Sequence, residues 1–450
     1  MTQDTIKAAI HEFLNNCLSK ASNAELRLEV LRGVAFYDGT RDEQFTSLTS
    51  FEATTQALTT LPNFGERYGN DSRNRILLQF LYQYFERVDN LQFHEAAFES
   101  LWTDFLAELA EAHWIYRGVA NLRHFRLEDD APPTTQIELG DGISIRGRSP
   151  ADLKSLGFDD LIWERIAEDW RTPFGQSSYV LVSEHRAPKN PDNLTRMDSF
   201  TVSNKARRAL QALRLCGAGS ISIGAMWMIR AGRFNVGLGG LSQSGFSIPT
   251  MGTDYIWTKD IGCAQSVVYQ ELAQLEKDGY GKAPGNLEVA LRVFMSSYDR
   301  WPSRSDTQLL DAITSLEALF GLATKISFRL AYRVASLLAS SDADRGEMLI
   351  LMKGFYDTRS KIVHGGQLKA AQQSDLEKVE ELRSFVRRLL KSFVSFAVKP
   401  PNGYRKEHLG EELDGRLMNA AEREKIRAAL GLTQRPGKNS MNNGPVYNLS

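Results

Sequence analysis

Apolar residues recur every three or four positions through the early part of the chain. The segments NRILLQFLYQYFERV (74–88) and FHEAAFESLWTDFLAELAEA (93–112) show this spacing most clearly. A period near 3.6 residues is typical of an amphipathic helix with one buried face. We therefore predict a mostly helical region over residues 1–130.

The period then changes to two. The segment TQIELGDGISIRG alternates apolar and polar residues around Gly140, Asp141 and Gly142, which predicts a β-hairpin. SSYVLVSEH and SISIGAMWMIRAG predict further strands, and SPADLKSLGFDDLIWERIAEDW predicts a helix between the hairpin and the first of these strands. We predict a mixed α/β region over residues 131–286.

Strand patterns cease near residue 287, and four helical patterns follow up to residue 398. The first, second and fourth carry apolar stripes, which are Leu309, Ile313, Leu316 and Phe320; Ile326, Leu330, Val334 and Leu337; and Leu376, Val379, Leu382, Val386, Leu389, Phe393 and Phe396. The third pattern, GEMLILMKGFYDTRSKIVH, is closed by Gly365 and Gly366, which favour a helix end. Stripes of this kind suit packing in a helical bundle.

Sequence signals mark where the fourth helix is expected to begin and end. Ser374 with Glu377 three residues later predicts an N-cap with a capping box, and KPPNG (399–403) predicts the end of the helix. Residues 399–450 then hold a short helical pattern, NAAEREKIRAALG, and a tail whose composition is typical of disordered segments. The predicted fold class is α+β multidomain, with a mixed α/β N-terminal region followed by an all-α helical bundle.

Composition narrows the class of protein. With 42% hydrophobic residues, 24% charged residues and a formal net charge of -1, the 450-residue chain is expected to be globular and water-soluble, so any nucleic-acid contact must come from a local patch. The three cysteines form neither a CxxC pattern nor an even-numbered disulfide framework, and no basic segment followed by an apolar run opens the chain. We expect a cytoplasmic protein that has no membrane partner and no cofactor.

Two other motifs give weak functional signals. GLGGLSQSG (237–245) lacks the GK[ST] ending through which a phosphate-binding loop holds phosphate and magnesium, so we interpret it as a turn between strands. HEAAF lacks the second histidine of HExxH, and His94, His113, His124 and His185 make no compact ligand motif. A metal-dependent hydrolase in the N-terminal half therefore finds little support, and we predict no metal site.

The segment YDTRSKIVHGG (356–366) holds the strongest candidate chemistry. Arg359 and His364 lie about 140° apart around an ideal helix, so they share a face only if the helix ends between them. Gly365 and Gly366 can adopt left-handed backbone angles, which would end the helix and bring both side chains toward one cleft. A histidine can transfer protons at the ribose and leaving-group oxygens, and an arginine can bind the phosphorane, as metal-free RNA cleavage requires.

Charged residues on the preceding helices extend this candidate site. Glu317 lies at the edge of an apolar stripe, where an unpaired carboxylate would be costly, so a cation such as Arg359 is expected to pair with it. Arg329 and Arg333, four positions apart on a predicted polar helix face, are RNA-binding candidates, alternative partners for Glu317, or simply solvated. The RxxxxH spacing can also arise by chance. A histidine near a helix C-terminus interacts favourably with the helix dipole without any catalytic role.

About 110 residues, from DTQLLDAITSLEALFG through FRLAYRVASLL and YDTRSKIVHGG to the end of the long last helix, resemble an Apea-like HEPN domain. The hallmark of this family is RxxxxH preceded by a tyrosine-containing helix, and LEALF is also typical of it. The resemblance implies an all-α HEPN bundle over residues 287–398 that forms a homodimer, with the two RxxxxH motifs in one composite cleft. It also implies metal-independent endoribonuclease activity, commonly used in bacterial anti-phage defence or in toxin systems. More weakly, residues from about 130 to 285 resemble a region that often precedes this domain.

The family motif transfers to this chain position by position. Arg359 and His364 match the catalytic pair, and Ser360 occupies the variable polar position after the arginine. Tyr356 and Lys361, on either side of Arg359, join the RNA-binding candidates.

One position departs from the family pattern. HEPN toxins silenced by a nucleotidyltransferase antitoxin often carry a tyrosine two residues after the histidine, where this chain has Gly366. That mode of control is therefore not expected. Residues 1–286 are instead expected to sense a trigger or to restrain the nuclease.

Two functional classes follow from the resemblance. The first is a toxin-like ribonuclease with RNA, tRNA included, as substrate, a second copy of the chain as partner, and a phage-derived trigger or regulatory partner. The alternative is a non-catalytic HEPN module for dimerisation, RNA or nucleotide binding, or scaffolding. Arg359 and His364 favour the enzyme, because a pure scaffold needs neither residue.

Overall fold

The chain divides into two compact units, each assembled from separate chain segments. The computed structural model describes residues 1–23, 45–128, 136–147, 179–189, 199–231, 253–280, 286–299, 304–321 and 326–433. The first unit comprises 1–122, 133–207 and 224–245, and the second comprises 123–132, 208–223 and 246–450. Helices and strands in these segments confirm the predicted α+β multidomain class with a helical C-terminal part.

The first unit opens with helices. They are α1 (Gln3–Asn23), α2 (Thr49–Leu58), α3 (Phe64–Tyr68), α4 (Arg73–Phe85) and α5 (Glu95–Ala110). The two segments predicted as amphipathic helices form α4 and α5. Phe80 of α4 packs against Phe98 and Phe105 of α5, with ring centroids 6.3 and 5.6 Å apart. Burial of each such side chain contributes about 1.5–3 kcal/mol to folding.

A five-stranded sheet follows the helices. The strands of the described chain are β1 (His113–Arg123), β2 (Phe125–Leu127), β3 (Gln136–Gly140), β4 (Ile143–Gly147), β5 (Tyr179–Pro188), β6 (Ser222–Ala231) and β7 (Tyr255–Trp257). The sheet has the order β3–β4–β5–β1–β6, with antiparallel pairing from β3 to β1, while β2 and β7 form a separate parallel pair. β1 begins at His113, inside the region predicted to be mostly helical, because Trp114 and Tyr116 alternate with less buried neighbours and fill the core as strand residues.

The predicted hairpin is confirmed between β3 and β4. Asp141 and Gly142 both have left-handed backbone angles, with φ of 53° and 73°. A Cβ atom on Gly142 would also lie 2.8 Å from the carbonyl oxygen of Glu184 on β5. Glycine is therefore required there by both the turn and the neighbouring strand.

Three sequence predictions concern segments outside the described residues. They are the helix predicted within 149–170, the glycine-rich turn at 237–245, and the tail beyond residue 433.

The second unit is dominated by helices. Those described, with the shared helix α6, are α6 (Ser199–Cys216), α7 (Lys259–Lys277), α8 (Leu287–Asp299), α9 (Ser305–Phe320), α10 (Ile326–Leu338), α11 (Asp342–Val363), α12 (Ala370–Glu377), α13 (Val379–Val398), a 3-10 helix (Lys406–Leu409), α14 (Leu413–Met418) and α15 (Ala420–Ala429). α8 packs against α9, α10 against α11, and α13 against both α9 and α7. The predicted apolar stripes form the core of this bundle, although Ile326 and Leu376 are only half-buried.

The start predicted for the last helix is wrong. Ser374 lies inside α12, which begins at Ala370, and Lys378 separates α12 from α13. A local capping pattern could not reveal this, because α12 is fixed by a distant contact between Asp375 and Thr358 of α11, whose atoms Oδ2 and Oγ1 are 2.6 Å apart. The helix end predicted at KPPNG is confirmed, since α13 ends at Val398.

Helical packing continues beyond residue 398. α14 and α15 both pack against α10, and the predicted NAAEREKIRAALG helix is α15. Asn419 caps α15, because its side-chain oxygen accepts a hydrogen bond from the Glu422 N–H at 3.1 Å. Across the described segments, no helix combines the length and the apolarity needed to cross a membrane.

Candidate active site

Glu317 and Arg359 meet where α9 packs against α11. Arg359 Nη2 lies 3.5 Å from Glu317 Oε2, and the two side chains are 26% and 18% exposed. The pairing expected from the apolar surroundings of Glu317 is therefore present. This pair places a permanent positive charge at the edge of the bundle, where part of the guanidinium still reaches solvent.

Tyr356 joins Glu317 and Arg359 in a three-residue cluster. It lies nearly one turn before Arg359 in α11, and its hydroxyl hydrogen-bonds the Glu317 carboxylate. Its ring centroid is 5.8 Å from Arg359 Cζ. Glu317 thus contacts two side chains of one helical turn, which orients the guanidinium. Arg359 Nε is buried and has no hydrogen-bond partner among the described residues.

Burial dominates the electrostatics of this cluster. It raises the pKa of Glu317, and the positive charge of Arg359 and the hydrogen bond from Tyr356 only partly oppose it. Burial and the Glu317 charge likewise raise the pKa of Tyr356. The Glu317 carboxyl is therefore easier to protonate than one in water.

The end of α11 presents His364 to solvent. α11 stops at Val363, His364 is its C-cap with φ −92° and ψ 10°, and Gly365 adopts a left-handed φ of 68°. The N–H of Gly366 then donates to the carbonyl of Lys361 at 2.9 Å, which closes the last turn. The predicted glycine-terminated helix is confirmed, and the His364 side chain is exposed.

Arg359 and His364 are not in direct contact within one chain. Among the described residues, no hydrogen bond or ion pair joins them, and the His364 ring has no partner of either kind. Arg359 faces Glu317, and because the backbone of α11 stays nearly helical up to His364, the two side chains diverge around the axis. Their convergence on one cleft remains a prediction.

The other candidates on this segment lie close to the helix end. Ser360 is half-buried, and its carbonyl accepts the His364 N–H at 3.2 Å. Lys361 is exposed, and its side chain runs beside Gly366, where an added Cβ would lie 3.1 Å from Lys361 Cδ. Both residues are therefore near His364, and the Lys361 side chain is exposed to solvent.

Arg329 and Arg333 both bind Asp414 of α14. Arg329 Nε lies 2.6 Å from one carboxylate oxygen, and Arg333 contacts the other. Arg333 Nη1 also donates to the Phe320 carbonyl at 3.0 Å. Burial alone would raise the pKa of Asp414, but the two guanidinium groups outweigh it and lower that pKa.

This arrangement corrects the polar face predicted for α10. Arg333 is 1% exposed, so it is an interior residue whose charge is satisfied by Asp414 rather than by solvent. Arg329 keeps 28% exposure, so part of its guanidinium still reaches solvent. Neither residue pairs with Glu317, which is bound to Arg359.

One contact behind the site was not foreseen. Thr358, next to Arg359 in α11, is fully buried and donates its hydroxyl to Asp375 Oδ2 of α12 at 2.6 Å. A hydrogen bond to an ionised carboxylate is stronger than one between neutral groups. It fixes the turn of α11 that carries Tyr356 and Arg359. The only sequence signal was a threonine at a position that faces the apolar interior.

The histidines of the N-terminal half are dispersed. His94 is the N-cap of α5, His113 and His185 lie in β1 and β5, and His124 separates β1 from β2. In the described part of the chain, no three or more His, Cys, Asp or Glu residues are grouped so that they could hold a metal ion.

Comparisons of the chain with protein-family models, curated proteins and solved structures give no match. The cluster of Glu317, Tyr356 and Arg359, with His364 at the end of the same helix, therefore carries the functional inference.

Proposed function

We propose that the chain is a metal-independent endoribonuclease of the HEPN type, acting as a toxin-like effector in bacterial anti-phage defence by abortive infection. The observation that carries this proposal is the arrangement on α11, where Glu317 and Tyr356 orient the Arg359 guanidinium and the left-handed Gly365 leaves His364 exposed one helix turn later. Residues 1–286 would sense the trigger or restrain the nuclease.

The chemistry would divide between these residues. His364 accepts the proton of the ribose 2′-OH, so that the 2′-oxygen attacks the adjacent phosphorus and displaces the 5′-oxygen. The Arg359 guanidinium stabilises the negative charge that develops on the phosphoryl oxygens. A second His364, supplied by a partner subunit, protonates the leaving oxygen. The products are a 2′,3′-cyclic phosphate and a 5′-hydroxyl.

RNA recognition would rest on few cations. Residues 288–398 carry 16 Lys and Arg against 13 Asp and Glu, so the bundle has only a small positive excess. Lys361 is exposed and Arg329 partly exposed, whereas Arg333 is buried against Asp414. We propose cytoplasmic RNA as substrate, tRNA included, with Lys361 and Arg329 contributing phosphate contacts.

A non-catalytic RNA- or nucleotide-binding module is the second candidate. It is favoured by one observation, that Arg359 and His364 do not contact each other within one chain. A binding module needs the exposed cations but no proton transfer by His364. Cleavage therefore separates the two candidates.

The test is cleavage of a defined RNA by the purified full-length chain in EDTA. We expect cleavage to persist, to leave 2′,3′-cyclic phosphate ends, and to fall by about 10²-fold or more in His364→Ala and Arg359→Ala. His113→Ala is the matched control, because His113 is also exposed (49%) but lies in β1. Strict magnesium dependence, 3′-hydroxyl products or wild-type cleavage by His364→Ala would contradict the mechanism, and RNA binding without cleavage would support the second candidate.

A further inference from the structure

Three arginines are buried around one tyrosine in the second unit. Arg214 of α6, Arg383 and Arg387 of α13, and Tyr298 of α8 are 2%, 4%, 7% and 5% exposed. Arginine is rarely buried unless its charge is paired. The cluster shares no residue with the candidate active site. α13 also packs against α9, the helix that carries Glu317.

The arginines contact Tyr298 on its ring and at its hydroxyl. The guanidinium carbons of Arg383 and Arg214 lie 4.0 and 4.5 Å from the ring centroid. Arg387 Nη2 donates to the Tyr298 hydroxyl oxygen at 3.3 Å. The phenol is therefore surrounded by positive charge, which favours negative charge on its oxygen.

The carboxylates of the cluster do not balance the three guanidinium charges. Arg214 binds Asp299 through two contacts of 2.6 and 3.2 Å. Arg383 and Arg387 share a single carboxylate, Glu380, with one contact of 2.7 Å each. Among the described residues, three positive charges thus face two negative ones.

Arg383 is the least compensated of the three arginines. Its Nε and Nη2 atoms are buried and have no hydrogen-bond partner in the described segments. A buried charge that lacks full compensation is costly, by several kcal/mol in typical cases. A third anion in contact with Arg383 would remove this cost.

We propose that Tyr298 is this third anion, and that its phenolate, bound by Arg387 at the oxygen and faced by Arg214 and Arg383 across the ring, fastens α6, α8 and α13 together in a pH-dependent way. The phenolic proton passes to solvent when the cluster closes. No other side chain of the cluster contacts all three guanidinium groups. This ionisation is independent of whether the chain cleaves RNA.

The surrounding charges support this assignment. Burial alone would raise the pKa of Tyr298, but Arg387 and Arg383 outweigh burial and the opposing Glu380 charge, so that its pKa is lowered from 10.0. Tyr255 of β7 also faces the cluster, but burial raises its pKa well above the ordinary value, so it stays neutral. Asp299, the neighbour of Tyr298, is occupied by Arg214.

The sign of the pH dependence follows from linkage. Because the folded pKa lies below the unfolded value, the phenolate contributes stability that is fully present above pH 10.0 and is lost as the pH falls through the folded pKa. Between those two values, the folding equilibrium constant of the wild type should rise relative to Tyr298→Phe by up to about tenfold per pH unit.

The test is the tyrosinate absorbance of the folded full-length chain during a rise in pH. The chain has 14 tyrosines. We expect one of them to ionise before the others, and its signal to be absent from Tyr298→Phe. It should persist in Tyr255→Phe, the matched control, which removes a buried hydroxyl that stays protonated. Arg387→Met should shift the early signal to higher pH.

Each alternative outcome is distinct. An early signal that survives in Tyr298→Phe, or a wild-type chain without one, overturns the proposal. So does stabilisation by inorganic phosphate that is lost in Arg383→Met, since an external anion would then supply the third charge. If Arg387→Met does not fold, the comparison of wild type with Tyr298→Phe still shows whether the early signal comes from Tyr298.

Discussion

At the scale of single residues, a buried charge in this chain depends on its partner and not on contact with water. Arg333 is 1% exposed, and the carboxylate that neutralises it, Asp414, is 23% exposed. The guanidinium has one further acceptor, the carbonyl of Phe320. Removing the carboxylate would therefore leave a desolvated charge with a single neutral acceptor.

Asp414→Asn is accordingly expected to lower the free energy of unfolding by about 3 kcal/mol, the lower end of the range for broken buried pairs, because Asp414 is partly exposed. Chemical denaturation of the full-length chain at neutral pH measures this. Asp342→Asn is the control, since Asp342 is 81% exposed and pairs with Arg345 at 2.8 Å and more loosely with Arg423 at 3.7 Å, so that the loss should stay below about 1 kcal/mol. Equal losses in the two variants would show that Arg333 does not depend on Asp414.

Glu317 has the opposite pH behaviour to Asp414. Its folded pKa is raised above the ordinary 4.5, so the folded chain binds its proton more readily than the unfolded chain. Relative to Glu317→Gln, the wild type should therefore become more stable as the pH falls from neutral toward 4.5, and lose that advantage as the pH rises again. Denaturation midpoints of the two proteins at several pH values test this, and a difference independent of pH would show that Arg359 fully compensates the burial.

At the scale of elements, α11 is the helix on which the candidate site depends. Its N-terminus is capped by Ser341, whose hydroxyl accepts the Asp344 N–H at 3.1 Å. Its C-terminus relies on the left-handed Gly365 (φ 68°), which is followed by the closing hydrogen bond from Gly366. A glycine inside α11 and the glycine at its C-terminus therefore differ in the stability that an added side chain would cost.

Gly365→Ala should destabilise the chain by about 1–2 kcal/mol, because a left-handed conformation is strained for a residue with a Cβ. Gly346→Ala should instead stabilise it by about 0.5–1 kcal/mol, because Gly346 is inside α11 and an added Cβ meets nothing within 4 Å. Thermal and chemical unfolding of both variants give the comparison. Changes of the same sign would contradict the assigned end of α11.

The local elements were largely predictable from the sequence, because they depend on residues close together in the chain. The stripe of α9, the end of α11 at the left-handed Gly365, and the Asp141–Gly142 turn follow from spacing and from the conformational freedom of glycine. The division between α12 and α13 does not, because it depends on Asp375 contacting a threonine 17 positions earlier.

The candidate site was predictable to the same extent. An apolar stripe was enough to predict that Glu317 needs a cation, and Arg359 provides it. Periodicity could not show that Arg333 is buried, since its partner lies 81 positions later in a short helix. In the proposed composite cleft, Arg359 and His364 would converge through a second copy of the chain, and no local pattern describes such a surface.

At the scale of the whole molecule, α11 carries more apolar surface than its bundle buries. Ile350 is 71% exposed and Val363 is 52% exposed, whereas Met352 and Phe355 of the same helix are fully buried. An exposed apolar surface on the helix that ends at His364, the proposed catalytic histidine, suits the pairing of two copies, which the proposed mechanism needs for its second proton transfer.

If the two His364 residues act in one composite cleft, replacing part of the wild-type protein with His364→Ala should lower RNA cleavage more steeply than the smaller amount of wild type alone would. With random pairing, an equal mixture retains about a quarter of the activity when both subunits must be intact, and about half when each chain acts alone. Subunits exchanged by co-expression allow the measurement, with oligomeric state recorded alongside. Linear dependence on the wild-type fraction, or cleavage by a monomeric wild-type chain, would contradict the composite site.

The assembly of the second unit from separate chain segments bears on how this helical bundle can pass from one gene to another. A gene fragment encoding only residues 287–398 would lack Arg214, which stacks on Tyr298, and Asp414, which neutralises Arg333. The first loss removes a buried side chain, and the second removes the carboxylate partner of the buried Arg333. An exchanged block from about residue 208 to residue 433 would restore both residues and carry the inserted strand of the first unit with it, but only a block that begins near residue 123 would also include β2, which pairs with β7.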